Sequence, residues 1–538
     1  MNEYAPNQTA YRNWREHRRL QLTELHLDQP SSWNKLISVA IDCTASSADQ
    51  QLDSTLKSLL EQDWNNLEIS VFSASHGADI DRDPFMKLRG LQVHEAMSHD
   101  DLLRLGPTRC DLRGDYILMV PAGVTFDETA FSSLNRALVQ SGGTHEPDLV
   151  IFDHEYLDES GQKAYPAFLP GFDPDFLAEE DYIGHGVLLK ASLFDRLAAA
   201  GPLASLREFM LAAAQCRPAP IVAHVRDVLM TVHGRLPGDR PLSGANAAPA
   251  LITSAAVAVV IPNRNKPDLL QQCVRSLSTE KAVRELIVVD NASDDARTLE
   301  LYDDLRRDHG ARIVPMDQPF NFSRMINLGV AASESELVLL LNNDIEFRQP
   351  GALDAASALA MRPEIGIVGS KLLYPDFTVQ HAGVLLEYHP FEYHVRALHV
   401  GRGAETSSAG YLGQYAHLRN YQAVTGAFMM LRRSVFDEAN GFDEVALPVE
   451  FNDIDFCLRV RHAGYKIVCA PFEGVFHHES ASRGKADTPS VIEMRRAAQG
   501  LMARRWIDEF KSDPFNHPIA RLGERAEVQF NFTGTFVG

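Results

Sequence analysis

The sequence predicts an α/β protein built on doubly wound, mostly parallel sheets, with that architecture present twice. Three observations carry the prediction. First, "LISVAID" (36–42) and "VAVVIPNRN" (257–265) are β-branched runs bounded by polar residues, the pattern of parallel strands buried on both faces. Second, each run is followed by a helical pattern and another short strand. These are "DQQLDSTLKSLLEQ" (49–62) with "LEISVFSAS" (67–75), and "PDLLQQCVRSL" (267–277) with "ELIVVDNAS" (285–293). Third, a later strand appears in each half, "GDYILMVPAG" (114–123) and "SELVLLLNND" (335–344). A strand–helix–strand recurrence of this kind marks a repeated α/β unit.

The chain has 538 residues, too many for one ordinary core. Residues 1–35 interleave basic and apolar side chains and read as a helical extension packed on the first domain. A docking surface for a partner or for lipid is the other reading of that segment. Residues 36–235 form the first copy. "GRLPGDRPLSGANAAPA" (234–250) is rich in Pro, Gly and Ala and lacks apolar periodicity, so the linker is placed at 236–254. Residues 255–510 form the second copy and 511–538 a C-terminal tail.

Hydrophobic residues make up 45% and charged residues 23% of the chain, ordinary values for a globular protein. A formal charge of −21 is a poor footprint for nucleic acid and argues against broad adhesion to an anionic membrane. No window approaches the ~18 uninterrupted apolar residues of a spanning helix, and the first residues contain no secretory h-region. The six cysteines are scattered without C-x-x-C spacing, which reads as reduced thiols in a cytoplasmic protein without a zinc site.

In open parallel sheets, ligands bind beyond the carboxyl ends of the strands. In the second copy those ends are polar: Asn263, Arg264 and Asn265; Asp290, Asn291 and Ser293; Asn342 and Asp344. Turn chemistry accounts for any one of them. All three together point to one crevice.

"VAVVIPNRNKPDLLQQCVRSL", "ELIVVDNASDD", "NFSRMINLGVAASESELVLLLNNDIEF", "GSKLLYPDFTVQHAGVLL", "VTGAFMMLRRSVFDEANGFDE", "FNDIDFCLRVRHAGYKIV" and "HHESASRG" follow in that order. Together, over about residues 255–520, they resemble a family 2 glycosyltransferase with a GT-A fold. The resemblance implies roles for particular residues. Asp290 resembles the carboxylate that contacts the nucleotide base or ribose. Asn342-x-Asp344 stands where the family has Asp-x-Asp, so Asp344 is the main expected ligand of Mn²⁺ or Mg²⁺, with Asn342 beside it. Oxygen donors suit these hard cations. Asn343 reads as a turn residue or a donor-site residue. Asp453 matches the catalytic base. Asn452, in place of the family Glu, reads as a helix cap with Asp455 opposing the dipole, or as an acceptor-site residue.

A histidine past the last strand joins the metal in related enzymes. His478 is the expected ligand and His477 the second choice, because adjacent strand residues face opposite ways. Arg483 is placed against the donor phosphates. Pro262, Arg264, Lys266 and Asn327 are further candidates for the nucleotide-sugar side. "QHAGV" (380–384) and "VTGAF" (424–428) are expected to floor the clefts, with Gly426 allowing close approach of a sugar.

The first copy resembles the same family weakly and lacks its chemistry. Pro121-Ala122-Gly123 stands where a metal motif would be, and "LREFMLAAAQCRP" (206–218) stands where "NDIDF" would be. A degenerate GT-A-like domain is expected there.

The whole implies a metal-dependent, inverting hexosyl- or deoxyhexosyltransferase. It would use a nucleotide-diphosphate sugar and a glycan, lipid-linked glycan or protein acceptor, in the assembly of bacterial surface polysaccharide or glycan. The expected location is the cytoplasm, at the inner face of the membrane, with at most peripheral membrane contact. A non-catalytic glycan- or nucleotide-binding scaffold is the alternative.

Overall fold

The structure is a computed structural model. It describes residues 6–27, 35–43, 48–64, 66–73, 91–95, 112–140, 146–233, 255–389, 394–478, 488–522 and 528–530. The expected linker and Arg483 lie outside them. The chain divides into two compact units: residues 1–245 with 516–521 and 530–538, and residues 246–515 with 522–529.

Among the described residues the first unit holds a sheet of nine strands. In chain order they are β1 (Ile37–Cys43), β2 (Leu67–Ser73), β3 (Gln92–Glu95), β4 (Tyr116–Pro121), β5 (Val124–Phe126), β6 (Leu149–Leu157), β7 (Ala164–Ala167), β8 (Val187–Lys190) and β9 (Val222–His233). They lie in the order β3-β2-β1-β4-β8-β6-β9-β5, with β7 added beside β6. β1 runs parallel to β2 and β4, whereas β8 runs antiparallel to β4 and β6. Every residue of β2, and all of β1 but Asp42, is buried, which explains why these strands read as unbroken apolar runs.

The N-terminal helix Gln8–Leu27 belongs to this unit. Tyr11 and Trp14 are buried and pack on the ring of Phe168. Three of its four arginines are held by acids of the same unit: Arg15 by Asp127 and Glu155, Arg18 by Asp227, Arg19 by Asp127. Tyr11, Trp14, Leu22, Arg15 and Arg18 therefore form a packed face, while Leu20 is exposed.

The second unit holds β10 (Val257–Asn263), β11 (Val283–Asp290), β12 (Arg312–Pro315), β13 (Leu337–Leu341), β14 (Ile345–Phe347), β15 (Ile365–Ser370), β16 (Leu372–Leu373), β17 (Val379–His381), β18 (Val384–His389), β19 (His394–His399), β20 (Arg419–Tyr421), β21 (Phe428–Arg432), β22 (Lys466–Ala470) and β23 (Val475–His477). Its main sheet has the order β12-β11-β10-β13-β21-β15-β22-β20, and a smaller one the order β14-β23-β16-β17. The first seven positions of the main sheet repeat those of the first unit. The strand directions repeat too: β21 is antiparallel to β13 and β15, and β15 is parallel to β22.

Side chains alternate across this sheet into two cores. Val257, Val259 and Ile261 pack with Leu270, Cys273 and Val274 of the helix Pro267–Leu277. Ala258 and Val260 pack with Met325, Ile326 and Val330 of the helix Phe322–Ala331. That second helix sits so close that a Cβ on Gly329 would lie 2.2 Å from Val260 Cγ1, so only glycine fits.

The repeat extends to single side chains. Glu68, on β2, accepts hydrogen bonds from Arg113 N and Ser38 Oγ. Glu285, at the matching place on β11, accepts from Glu334 N and Ser335 Oγ. Among the described residues no helix is long and apolar enough to cross a membrane, and the five described cysteines are free thiols.

Candidate functional site

β13 is fully buried and ends in Asn342, Asn343 and Asp344. The chain then turns into β14, which pairs antiparallel with β23 so that Ile345 lies opposite His477. This register brings His477 Nε2 to 3.1 Å from Asp344 Oδ1 and 3.3 Å from Asn342 Nδ2. On the other side of the ring, Nδ1 lies 2.6 Å from Oε1 of Gln380, on β17. An amide oxygen can only accept, so His477 Nδ1 donates to Gln380 and Nε2 is the nitrogen turned toward Asp344 and Asn342.

His478, ranked first from the sequence, points elsewhere. Its Nε2 meets Glu346 Oε2 at 3.0 Å. Burial raises the Glu346 carboxyl, but hydrogen bonds from His478, Gln272 and Arg348 outweigh it and hold the group below its usual range. The alternation of side chains along β23 selects His477 as the partner of Asp344.

The helix Asn452–His462 follows Phe451, whose φ is 59°, a left-handed conformation that costs a side-chain-bearing residue roughly 1–2 kcal/mol. No side chain caps this helix. Asn452 is therefore not the expected cap: its Nδ2 donates to Ser323 Oγ at 3.0 Å and its Oδ1 accepts from Asp453 N at 2.8 Å. Asp453 Oδ2 accepts from Gly426 N at 2.9 Å and Oδ1 from Ile454 N at 2.9 Å. Asp455 is fully buried and binds Arg459, Arg505 and the Trp506 indole. Its work is internal to the unit.

These pieces share one cavity of about 280 Å³, lined by Asn342, Asp344, Gly426, Asn452, Asp453 and His477, with Gln380, His399, Phe322 and Glu450 among its other walls. Among the described residues no three His, Cys, Asp or Glu side chains are grouped to hold a metal. The donor set is one carboxylate and one imidazole; Asn342 turns its Nδ2 toward His477, and its carbonyl oxygen would join a cation only with the amide turned over. Its spacing fits a cation nonetheless. Asp344 Oδ1 and His477 Nε2 lie 3.1 Å apart on the wall of the cavity, where the two would hold a divalent cation between them. The proton on Nδ1, held by Gln380, is the outer-shell bond that metal-binding histidines make.

The other expected residues lie outside this cavity. Asp290 accepts from Tyr302 OH at 2.8 Å and from Ser293 Oγ. Asn343 donates to Asn263 Oδ1 at 2.6 Å. Asn327 spends its amide on Phe442 and Glu444. Pro262 is buried in β10, Arg264 is exposed beyond its end, and Lys266 precedes the helix Pro267–Leu277 with φ 61°. Sequence reasoning missed the wall residues Phe322, His399 and Glu450. It also missed Tyr302, which reads as an ordinary apolar position of its helix.

The first unit carries other residues at the matching positions. Tyr116 lies opposite Ile37 as Leu337 lies opposite Val257, so Pro121, Ala122 and Gly123 match Asn342, Asn343 and Asp344. Val124 pairs with Val232 as Ile345 pairs with His477. His233 is retained and meets Thr125 Oγ1 at 3.0 Å, as His478 meets Glu346. The helix Leu206–Ala214 is capped by Ser205, which accepts from Glu208 N, while Glu208 accepts from Ala204 N. That box satisfies the helix start where the second unit turns a carboxylate into a cavity.

The fold and the cavity define an α/β protein with a polar cavity at the carboxyl end of the parallel strand β13. Residues 258–439 match the model of glycosyl transferase family 2. The chain is 40% identical over 269 residues to the uncharacterized protein y4gI of Sinorhizobium fredii, covering 49% of this chain and 29% of that protein. It is 30% identical over 519 residues to the O-antigen biosynthesis protein RfbC of Myxococcus xanthus, covering 87% of this chain and 39% of that protein. It thus spans about a third of the length of these curated relatives. Among solved structures it is similar to the mannosyltransferase PcManGT from Pyrobaculum calidifontis in complex with GDP-Man and Mn²⁺. That likeness has a TM-score of 0.35 at 17% identity and covers 49% of this chain and 68% of the other.

Proposed function

We propose that the second unit moves a sugar from a nucleoside diphosphate sugar to an acceptor hydroxyl, with inversion at the anomeric carbon. We place the reaction in the assembly of a bacterial surface polysaccharide, which the O-antigen relative supports. The carrying observation is that Asp453 and the Asp344–His477 pair face one cavity.

The acceptor oxygen attacks the anomeric carbon, the bond from that carbon to the diphosphate oxygen breaks, and the acceptor proton passes to Asp453. The N–H groups of Gly426 and Ile454 orient that carboxylate. Asp344, His477 and Asn342 would hold a divalent cation, Mn²⁺ or Mg²⁺, which when bound supplies positive charge against the leaving diphosphate. We assign the first unit no transfer chemistry, since its matching positions hold Pro121, Gly123 and Val232.

The test is Asp453→Asn, assayed with a panel of UDP-, GDP- and dTDP-sugars and Mn²⁺. Loss of the base lowers kcat ~10²–10⁴-fold. An amide can accept at only one of the two positions now facing Gly426 N and Ile454 N, so a small fall in thermal stability accompanies it. Near-normal transfer with both substrates saturating would remove Asp453 from the role. A wild-type protein that binds a donor and never turns it over would favour the scaffold reading.

A further inference from the structure

We infer that Asn343, Asn263, Tyr302 and Asp290 form a positioning relay that ties the Asn342–Asp344 turn to the Asp290 turn. The inference rests on the proposed reading for what those two turns bind, and on geometry for the relay itself. Asn343 Nδ2 donates to Asn263 Oδ1 at 2.6 Å, Asn263 Nδ2 donates to Tyr302 OH at 2.8 Å, and Tyr302 OH donates to Asp290 Oδ1 at 2.8 Å. All three donors point the same way, and the chain of bonds ends on a carboxylate. Bonds polarised in one direction reinforce one another in a low dielectric.

The middle of this relay is buried. Asn263 and Tyr302 are each 2% exposed, and only the Asp290 end is half-buried. Burial pushes the Tyr302 hydroxyl up, so it stays protonated and remains a donor. Ser293 carries the connection onward. It donates to Asp290 and its Oγ accepts from Asn265 N at 2.8 Å, so three strand ends are bound into one frame.

The repeat separates fold from function here. Cys43 lies opposite Ser73 in the first sheet as Asn263 lies opposite Asp290 in the second, and Ala122 matches Asn343. The same sheet order thus forms with none of these three relay residues. The Glu68 and Glu285 braces, by contrast, are kept in both sheets. A network needed to build the fold would recur with the fold. This one occurs only where Asp344, His477 and Asp453 occur, which assigns it to the site. Tyr302 and Asn263 are positioning residues: they act through Asp290 and through the Asn342–Asp344 turn.

The test is Tyr302→Phe, which deletes one oxygen, together with Asn343→Ala, which cuts the relay at its other end. Hydrogen exchange by mass spectrometry is read on peptides covering 287–294 and 340–346. Each variant is expected to exchange several-fold faster at both peptides, with the rest of the helix Ala296–His309 unchanged in Tyr302→Phe. Exchange altered only beside the substituted residue, in either variant that folds, overturns the relay. Mn²⁺ affinity of the nucleotide-free protein, read by electron paramagnetic resonance, is expected to fall ~3–10-fold in Tyr302→Phe although Tyr302 is not a ligand. A wild type that binds Mn²⁺ beside two variants with unchanged affinity also overturns the relay. A wild type that binds no Mn²⁺ sinks the cation assignment instead, and the exchange result still decides the relay.

Discussion

The two adjacent histidines offer the sharpest prediction. His477→Ala removes the imidazole that lies 3.1 Å from Asp344 Oδ1, together with the bond its Nδ1–H makes to buried Gln380. Loss of an outer-shell partner alone typically costs 10–100-fold in metal affinity. Loss of a ligand costs at least that, or about 1.4–2.7 kcal/mol of binding free energy at 1.36 kcal/mol per decade. His478→Ala removes a contact to Glu346 in which both side chains are about one-fifth exposed, at 22% and 20%. Such a pair contributes ~0–1 kcal/mol to stability and nothing to the cavity. The assay is Mn²⁺ titration followed by electron paramagnetic resonance, with thermal unfolding alongside. The expected result is weakened Mn²⁺ binding in His477→Ala and near wild-type binding in His478→Ala. The reverse ranking would refute the assignment and the strand-register argument behind it.

Two further perturbations follow from contacts already described. A Cβ on Gly426 would lie 3.3 Å from Asp453 Cβ, inside the ~3.5–4.0 Å at which carbons pack comfortably, so Gly426→Ala displaces the base by a few tenths of an ångström. Since a 1 Å misplacement can cost ~10²-fold, kcat is expected to fall ~3–10-fold with thermal stability nearly unchanged. In the first unit, burial pushes His154 down from 6.5 to about 4, against the pull of Asp153. The unfolded chain then binds the proton more tightly, so stability is full above pH 6.5 and falls as the pH drops toward 4. The loss is roughly 3 kcal/mol, and it is seen as a falling melting temperature that His154→Asn flattens.

The α/β class, the recurrence of strand and helix, and the polar strand ends were legible in the sequence because they depend on local patterns. A strand buried on both faces must be apolar throughout, and a ligand site at its end must be polar, whatever the rest of the chain does. Asp344 stands out on that ground alone, whereas Asp453, at the start of a helix, stood out only through the family resemblance. The side chains that meet them depend on pairings between distant segments. Ile345 lies opposite His477 across more than a hundred residues, and a register slip of one would have presented His478 instead. The same holds for Asn452, which a local pattern marks as a cap and Ser323 claims as a partner. Tyr302 carried no sequence signal because a buried tyrosine and an ordinary core aromatic look alike until the hydroxyl finds Asp290. The sequence by itself determined which residue types could do chemistry and which strands would carry them. The tertiary structure decided which of those side chains face one another, because facing is set by register and packing across the sheet and not by neighbours along the chain.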